Sequence, residues 1–224
     1  VKYVEALLSL RDKYQAIIEE AFEGDKSFLN ALNGAFESFV NDNAQSPEFI
    51  SLFVDDQLRK GMKGTSEEEV EQTLDKVVML FRYLQEKDVF EKYYKQHLAK
   101  RLLGARSVSD DAERSMITKL KHECGYQFTS KLEGMVTDMN LSSDIQSAFA
   151  DYVREKEVKL QTDLTVQVLT TGFWPTYKSD DLNLPKELVA CIETFRAFYD
   201  GNDRTRLGHG GPPQRTAPAA SSSS

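Results

Sequence analysis

The tripeptide His122-Glu123-Cys124 has the residue types of an enzyme active site. A cysteine nucleophile needs a base that can reach its thiol, and usually a third group that orients the base. Residues two apart on one helix point in different directions, so His122 is poorly placed to activate Cys124. We interpret the tripeptide as a helix end, with the cysteine packed inward and the histidine near the negative helix terminus. A cysteine-dependent enzyme is the alternative.

Sites for metals, cofactors and phosphates have no support in the sequence. As zinc ligands, His122 and Cys124 lack a second pair, because neither CxxC nor HxxxH occurs and Cys191 and His97 are isolated. A glycine-rich phosphate loop is absent from the sequence. Most carboxylates fall in helix caps or on solvated faces, which gives no support to paired acid–base catalysis. We therefore predict no catalytic residue, no metal and no cofactor.

The segment from Asp88 to Leu103 has the pattern of an amphipathic helix with an arginine on its apolar side. The apolar face recurs at helical spacing and comprises Phe90, Tyr94, His97, Leu98 and Leu102. Arg101 falls near this face, where its charge must reach water or find a partner, because burying it unpaired is costly. One hypothesis pairs Arg101 with Asp110 or Asp111 at a helix junction. The alternative is that the guanidinium reaches water.

Two further features of this helix concern its start and its solvated side. Asp88 is predicted to cap the helix, with Glu91 three residues later completing a capping box. Lys92, Lys95 and Lys100 lie on the side opposite the apolar face. A run of lysines is usually solubilising, and the alternative is a docking surface for an acidic partner.

Helical periodicity dominates the chain from Val1 to about Leu160. Helix starts are indicated by capping residues or proline at Ser27, at Ser46-Pro47, at Ser66 with Glu69, at Ser109, at Ser130 with Glu133, and at Pro185. The alternation from Leu164 to Leu169 predicts one short strand or extended segment. The turn after Gly172 is predicted to anchor Trp174 against the helices. The predicted fold class is therefore all-α with one extended piece.

Two segments interrupt the helical pattern. Residues 61–65 contain two glycines between well-signalled helices and are predicted to form a hinge. From about residue 201 to Ser224 the chain is rich in Gly, Pro, Arg and Ser, with almost nothing apolar. Such a tail buries too little surface to offset its ordering entropy, so we predict that it is disordered.

The composition argues against several classes of partner. A formal net charge of −8 disfavours general nucleic-acid binding, which needs clustered lysine and arginine. We expect no membrane contact, because no apolar run is long enough to span a bilayer and no signal segment precedes the first helix. Two cysteines far apart in sequence do not indicate a disulfide framework. We expect a protein of the cytoplasm, the nucleus or both.

Several long blocks resemble the cullin family. They run from Lys76 to Leu103, from Ser107 to Met135, and from Thr165 through Phe173-Trp174-Pro175, followed by Leu184-Pro185 and Phe195-Arg-Ala-Phe-Tyr199. The amino-acid sequence of residues 93–97 and 128–135 is most similar to that of the cullins that use BTB-domain adaptors. Residues 119–125 and 172–177 also resemble the class that uses a propeller adaptor.

The resemblance covers about residues 1–199 and implies a scaffold of RING-type ubiquitin ligases. In that family one end of the scaffold holds a substrate adaptor. The other end holds a RING subunit that recruits a ubiquitin-conjugating enzyme, and the scaffold itself does no covalent chemistry. By this resemblance, residues 1–60 are the closing helices of a third cullin repeat. Residues 66–199 form the helical bundle of the cullin-homology region, and residues 200–224 are a tail outside the family pattern.

The chain also departs from the family pattern. Repeats that bind the adaptor, the sheet that receives a RING-subunit strand and the lysine that accepts a ubiquitin-like modifier have no counterpart in these residues. Val1 already lies within a helical pattern. We therefore expect a scaffold fragment that is unable to assemble a ligase by itself. The alternative is a free-standing helical docking module, or a competitor of full-length cullins.

Overall fold

The computed structural model describes residues 1–61, 64–107, 109–176 and 183–206. Its helices are α1 (Lys2–Ala21), α2 (Lys26–Asn41), α3 (Ser46–Asp56), α4 (Glu67–Tyr83), α5 (Lys87–Leu103), α6 (Asp110–Cys124), α7 (Tyr126–Glu155) and α8 (Lys186–Arg206). A π-helical turn, Gln57–Gly61, follows α3. Strands are absent from the described residues, and the all-α prediction is confirmed. None of the described helices is long and apolar enough to cross a membrane.

Two predicted helix starts carry the predicted caps. At the start of α4, Ser66 Oγ accepts the backbone N–H of Glu69 at 3.3 Å, and the Glu69 carboxylate accepts the N–H of Ser66 at 3.1 Å. At the start of α6, Ser109 Oγ accepts the N–H of Asp111 at 3.1 Å and that of Ala112 at 3.4 Å. These bonds satisfy backbone donors that no carbonyl within the helix can reach.

Two other predicted starts are wrong, each for a local reason. α2 is capped by Asp25, whose carboxylate accepts the N–H of Ser27 at 2.7 Å, so Ser27 lies inside the first turn. α7 begins at Tyr126 rather than at Ser130. Gly125 has a φ of 82°, a left-handed conformation that costs glycine no side-chain strain, and it separates α6 from α7 within one residue.

The described contacts form two units. The first comprises the described parts of residues 1–142 and 168–178, and the second those of residues 143–167 and 179–224. Within the first unit α3 packs along α5, α4 packs along α6, and the hairpin of α1 and α2 contacts α3 and α4. Helices before and after residues 61–65 contribute to one buried apolar cluster. Residues 62 and 63 of the predicted hinge lie outside the described residues, and the proposed domain boundaries stay a prediction.

The second unit joins the end of α7 to α8 through aromatic side chains. The Phe149 ring lies 5.1 Å from that of Phe195 and 5.3 Å from that of Phe198, centroid to centroid. The buried thiol of Cys191 donates to the Thr162 carbonyl at 3.8 Å. α8 continues through Arg206, beyond the predicted start of the tail at residue 201. Residues 207–224 of the predicted tail lie outside the described residues.

The predicted strand or extended segment is extended and is held by side chains of α7. In the second unit, the Gln146 side chain donates to the Leu164 carbonyl at 2.9 Å and accepts the N–H of Val166 at 3.0 Å. In the first unit, Ser142 Oγ accepts the N–H of Val168 at 2.9 Å. Alternate backbone groups therefore bind helix side chains instead of another strand. The apolar residues Leu164, Val166 and Val168 are half-buried, whereas the residues between them are exposed.

Gly134→Ala is expected to lower the free energy of unfolding by about 1 kcal/mol. Gly134 lies within α7, where an added Cβ would come within 2.5 Å of the Phe173 ring. Overpacking costs about 1–3 kcal/mol, which outweighs the roughly 1 kcal/mol that alanine gains over glycine in a helix. Gly34→Ala in α2 is the matched control, because nothing lies within 4 Å of its added Cβ, and it should stabilise the protein. Urea denaturation measures both variants, and a stabilising Gly134→Ala would contradict this contact.

Candidate functional site at a buried arginine

Arg101 of α5 has no exposed side-chain surface, and it joins three helices. Its Nε donates to Glu113 Oε1 at 2.5 Å and its Nη2 donates to Oε2 at 3.0 Å, which forms a two-pronged pair with α6. Its Nη1 donates to Asp55 Oδ1 of α3 at 2.7 Å. The side chains of Glu113 and Asp55 are only 1% and 7% exposed. Paired hydrogen bonds of this kind offset much of the cost of burying the three charges.

The hypothesis that Arg101 pairs with an acid at a helix junction is confirmed, but its predicted partners are wrong. Asp110 and Asp111 are exposed in the first turn of α6. Glu113 lies in the same first turn but on the buried side of α6, together with Ala112, Met116, Ile117 and Leu120. In the sequence, Glu113 recurs at helical spacing with the apolar residues Met116, Ile117 and Leu120. This position predicts a buried carboxylate, and a buried carboxylate needs a cation as partner.

The surroundings keep the arginine charged and the nearby histidine neutral. Burial alone lowers the pKa of Arg101, but the hydrogen bonds and charges of Glu113 and Asp55 raise that pKa above its usual value. The pKa of His97 is lowered, chiefly by burial, although its Nδ1 lies 3.7 Å from Asp55 Oδ2. Burial raises the pKa of Tyr94, whose ring centroid lies 5.6 Å from the Arg101 guanidinium carbon. A fixed cation therefore lies beside a neutral histidine and a neutral tyrosine.

The arrangement suits a structural role better than a catalytic one. Ser107 donates to Glu113 Oε1 at 2.7 Å, and Arg59 donates to Asp55 Oδ2 at 3.4 Å. The oxygens of both carboxylates are therefore occupied by donors from the protein itself. Because any relative movement of α3, α5 and α6 would separate buried charges, the cluster holds these helices in one crossing geometry.

The geometry gives a cysteine-dependent mechanism no support. Cys124 packs against the apolar cluster at the end of α6, as interpreted from the sequence. Burial raises the pKa of its thiol, whereas a nucleophilic cysteine needs a lowered pKa. The His122 side chain is 88% exposed, and its Nδ1 lies 3.9 Å from the Glu123 carboxylate. Among the described residues, no group of three or more His, Cys, Asp or Glu side chains could hold a metal ion.

The other residues predicted on α5 lie apart from the buried cluster. The predicted Asp88 cap is wrong: Glu86 occupies the N-cap position without a side-chain bond, and Asp88 lies in the first turn. The helix begins one residue before Asp88. The Asp88 carboxylate therefore still lies in the first turn, where the helix dipole stabilises a negative charge. Lys92 and Lys100 are exposed and Lys95 is half-buried. Their docking role stays a prediction.

Trp174 is anchored against the helices, as predicted. The anchoring group is the carboxylate of Asp138, which is not among the residues predicted from the sequence. Its Nε1 donates to Asp138 Oδ2 at 2.7 Å. The same carboxylate accepts the backbone N–H and the hydroxyl of Thr170, each at 2.7 Å. Asp138 is 5% exposed, and its place between Met135 and Met139 in α7 is the sequence signal for an inward-facing acid.

The described residues form an all-helical fold in which interior polar groups join the helices. Residues 1–146 match the family model described as "Cullin alpha solenoid domain". This match extends over more than half of the chain. The chain belongs to the cullin family.

Relatives in three organisms agree with this assignment. The chain is 58% identical over 205 residues to Cullin-3 of Dictyostelium discoideum and 62% identical over 206 residues to Cullin-3B of Arabidopsis thaliana. It is 45% identical over 214 residues to Cullin-4A of Mus musculus. Each comparison covers 92% of this chain, but only 27% or 28% of the relative. The chain therefore spans little more than a quarter of the length of these relatives, and the higher identities are to Cullin-3 proteins.

Proposed function

We propose that this chain is a non-catalytic scaffold segment of a cullin-RING ubiquitin ligase, which acts in ubiquitin-dependent protein catabolism. Family membership supports the proposal, and the buried Arg101 junction is the structural observation that carries it. A scaffold must keep its partners at fixed separations, because small displacements of reacting groups reduce rates. Three helices joined through buried charges meet that requirement without a reactive side chain.

The proposed partners are the ligase subunits of the family, namely a RING subunit and a BTB-type adaptor. The identity to Cullin-3 proteins supports the BTB class. We propose that these subunits bind the longer scaffold, and that the 224 residues by themselves do not assemble a ligase. The proposed place of action is the cytoplasm, the nucleus or both, with no nucleic acid or membrane as partner.

A ubiquitin-conjugating enzyme is proposed as a further partner of the lysines on α5. Lys92 and Lys100 are exposed, and Lys95 lies between them in sequence at the edge of the same surface. These lysines suit an acidic segment of such an enzyme. Contact between exposed charges is screened by salt, so this association should weaken as the ionic strength rises.

One binding experiment tests the scaffold proposal. The 224-residue chain and a full-length Cullin-3 are immobilised separately, and each is offered a RING subunit, a BTB adaptor and a conjugating enzyme. We expect the full-length protein to retain the RING subunit and the adaptor, and the 224-residue chain to retain neither. Robust capture of the RING subunit by the 224-residue chain would contradict the proposal.

Binding of the conjugating enzyme is tested with two triple variants of equal net charge. The first reverses Lys92, Lys95 and Lys100 to glutamate, and the second reverses the exposed Lys13, Lys26 and Lys131. The first should weaken binding roughly tenfold or more, and the second should change it little, because local charge complementarity sets the contact. Equal loss in both variants would attribute the effect to net charge and remove the docking site.

The alternative function is a free-standing docking module that competes with full-length cullins. The exposed apolar side chains of α1 and α2 favour this alternative, since they could cover a partner surface. Adding excess 224-residue chain to an assembled ligase separates the two functions. Inhibition of substrate ubiquitination would support the competitor, and unchanged turnover would support the scaffold segment.

A further inference from the structure

Ser107 links the connection between α5 and α6 to the buried arginine. Its Oγ donates to Glu113 Oε1 at 2.7 Å, and the same oxygen accepts the Nε–H of Arg101 at 2.5 Å. The Glu113 side chain is 1% exposed, whereas Ser107 is half-buried and follows the exposed Arg106. A hydroxyl close to the surface is therefore hydrogen-bonded to the carboxylate that joins α6 to α5. A chemical change at this hydroxyl acts directly on the buried charges.

Acidic residues follow Ser107 at a spacing that suits one class of protein kinase. Asp110 and Asp111, three and four residues after Ser107, are both exposed in the first turn of α6. Kinases distinguish substrates partly by charge pattern, and a kinase with a basic substrate groove favours acidic side chains after the serine. The exposed carboxylates therefore match an acid-directed kinase.

We propose that Ser107 is a phosphorylation site that controls the junction of α5 and α6. The reaction needs ATP and an acid-directed protein kinase. The Ser107 Oγ forms a bond to the γ-phosphorus of ATP, and the bond from that phosphorus to the β,γ-bridging oxygen breaks. ADP leaves with the electron pair of the broken bond, and the hydroxyl proton passes to a carboxylate base of the kinase. This proposal goes beyond the scaffold function and does not rest on it.

Phosphorylation would replace a hydrogen-bond donor beside Glu113 with a negative charge. A phosphoserine carries a charge of about −1.5 to −2 at pH 7 and has three strong acceptor oxygens. The bond that Ser107 donates to Glu113 is then lost, and two anions face each other in its place. Water and salt screen partly buried charges poorly, so these anions repel strongly. The phosphate and the Glu113 carboxylate must therefore move apart.

The neighbouring arginines determine where the phosphate moves. Arg101 already donates to Glu113 and Asp55, whereas Arg106 is exposed and adjacent to Ser107 in sequence. A guanidinium binds phosphate with two parallel hydrogen bonds, so we expect Arg106 to hold the phosphate at the surface. An exposed ion pair stabilises a protein little. The phosphorylated chain should therefore hold α6 less firmly against α5.

Phosphorylation of the 224-residue chain in vitro tests the site. The chain is incubated with ATP and casein kinase II as the acid-directed probe, and tandem mass spectrometry locates the phosphate. We expect phosphate on Ser107, and the double variant Asp110→Asn, Asp111→Asn should slow its addition roughly tenfold or more. Ser66 is the internal control, because three glutamates follow it at residues 67–69. The kinase should modify Ser66 at the same rate in both chains.

The stability of the phosphorylated chain tests control of the junction. Both the modified and the unmodified chain carry Ser66→Ala, so that Ser66 contributes no phosphate. Phosphate on Ser107 should lower the urea midpoint of the first unit, followed by Trp174 fluorescence, by roughly 1 M. Ser107→Ala is the matched control, since it loses the hydrogen bond without adding charge. It should lower the midpoint less, and Ser107→Glu should fall between the two.

Three results would overturn the proposal. The first is a Ser107 that stays unmodified, whether or not Ser66 carries phosphate. The second is modification of Ser107 at the same rate in the double aspartate variant, which would show that the acidic residues do not direct the kinase. The third is a phosphorylated chain as stable as Ser107→Ala, which would show that the added charge does not act on the junction.

Discussion

Arg101→Met is expected to lower the free energy of unfolding of the first unit by about 3–5 kcal/mol. The substitution keeps much of the apolar stem and removes the guanidinium. Two carboxylates, Glu113 and Asp55, then remain buried without their main cation, at sites 1% and 7% exposed. Their desolvation is no longer offset, which makes the loss larger than that of an exposed ion pair. Urea denaturation followed by the fluorescence of Trp174, the single tryptophan and a member of this unit, measures the effect.

Two further variants separate loss of the ion pair from loss of packing. Lys100→Met introduces the same side chain at the neighbouring exposed position and should change stability by about 0.5 kcal/mol or less. A triple variant that replaces Arg101, Asp55 and Glu113 by apolar residues should recover most of the loss, because no unpaired charge remains. If Arg101→Met is as stable as Lys100→Met, the buried pair does not hold the helices together.

Asp138→Ala is expected to lower the stability of the first unit by about 2–4 kcal/mol. The Asp138 carboxylate accepts three hydrogen bonds, two from Thr170 and one from Trp174, each at 2.7 Å. Bonds to a charged group contribute about 1.5–3 kcal/mol each, but the sum is reduced because the exposed Thr170 can bind water instead. The anchored ring should also loosen, which moves the tryptophan emission to longer wavelength.

The matched control for this prediction is Asp144→Ala on the same helix. Asp144 is exposed, so its removal should change stability by about 0.5 kcal/mol or less. Asp138→Asn should fall between the two, because its amide oxygen can still accept a bond without the charge. Equal urea midpoints for Asp138→Ala and Asp144→Ala would show that the carboxylate does not anchor Trp174.

Much of the helical fold can be predicted from the sequence, because helix starts depend on neighbouring residues. The capping box of Ser66 and Glu69 and the cap at Ser109 follow from a spacing of two or three residues. The misplaced starts have the same local origin. Asp25 competes with Ser27 as the cap, and a left-handed Gly125 ends one helix and begins the next. The hydrophobic period predicts that a helix exists more reliably than it predicts the first residue of that helix.

The candidate site could be predicted only in part. The apolar position of Arg101 follows from helical spacing, and the cost of a buried charge leaves two outcomes, an acidic partner or contact with water. The choice of partner does not follow, because Asp55 lies 46 residues away on another helix and Glu113 faces inward only when α6 is packed. Asp138 is a similar case, since its donors lie 32 and 36 residues later in the chain.

The sequence by itself determined that this chain is helical and that Arg101 falls on an apolar side, where its charge must reach water or find a partner. Local capping and the 3.6-residue period are sufficient for these two conclusions. Only the tertiary structure decided which carboxylates meet Arg101 and Trp174, and which apolar stripes stay exposed on α1 and α2. The physical reason is that a periodic pattern shows that a helix face must be covered. What covers it depends on how helices distant in sequence cross.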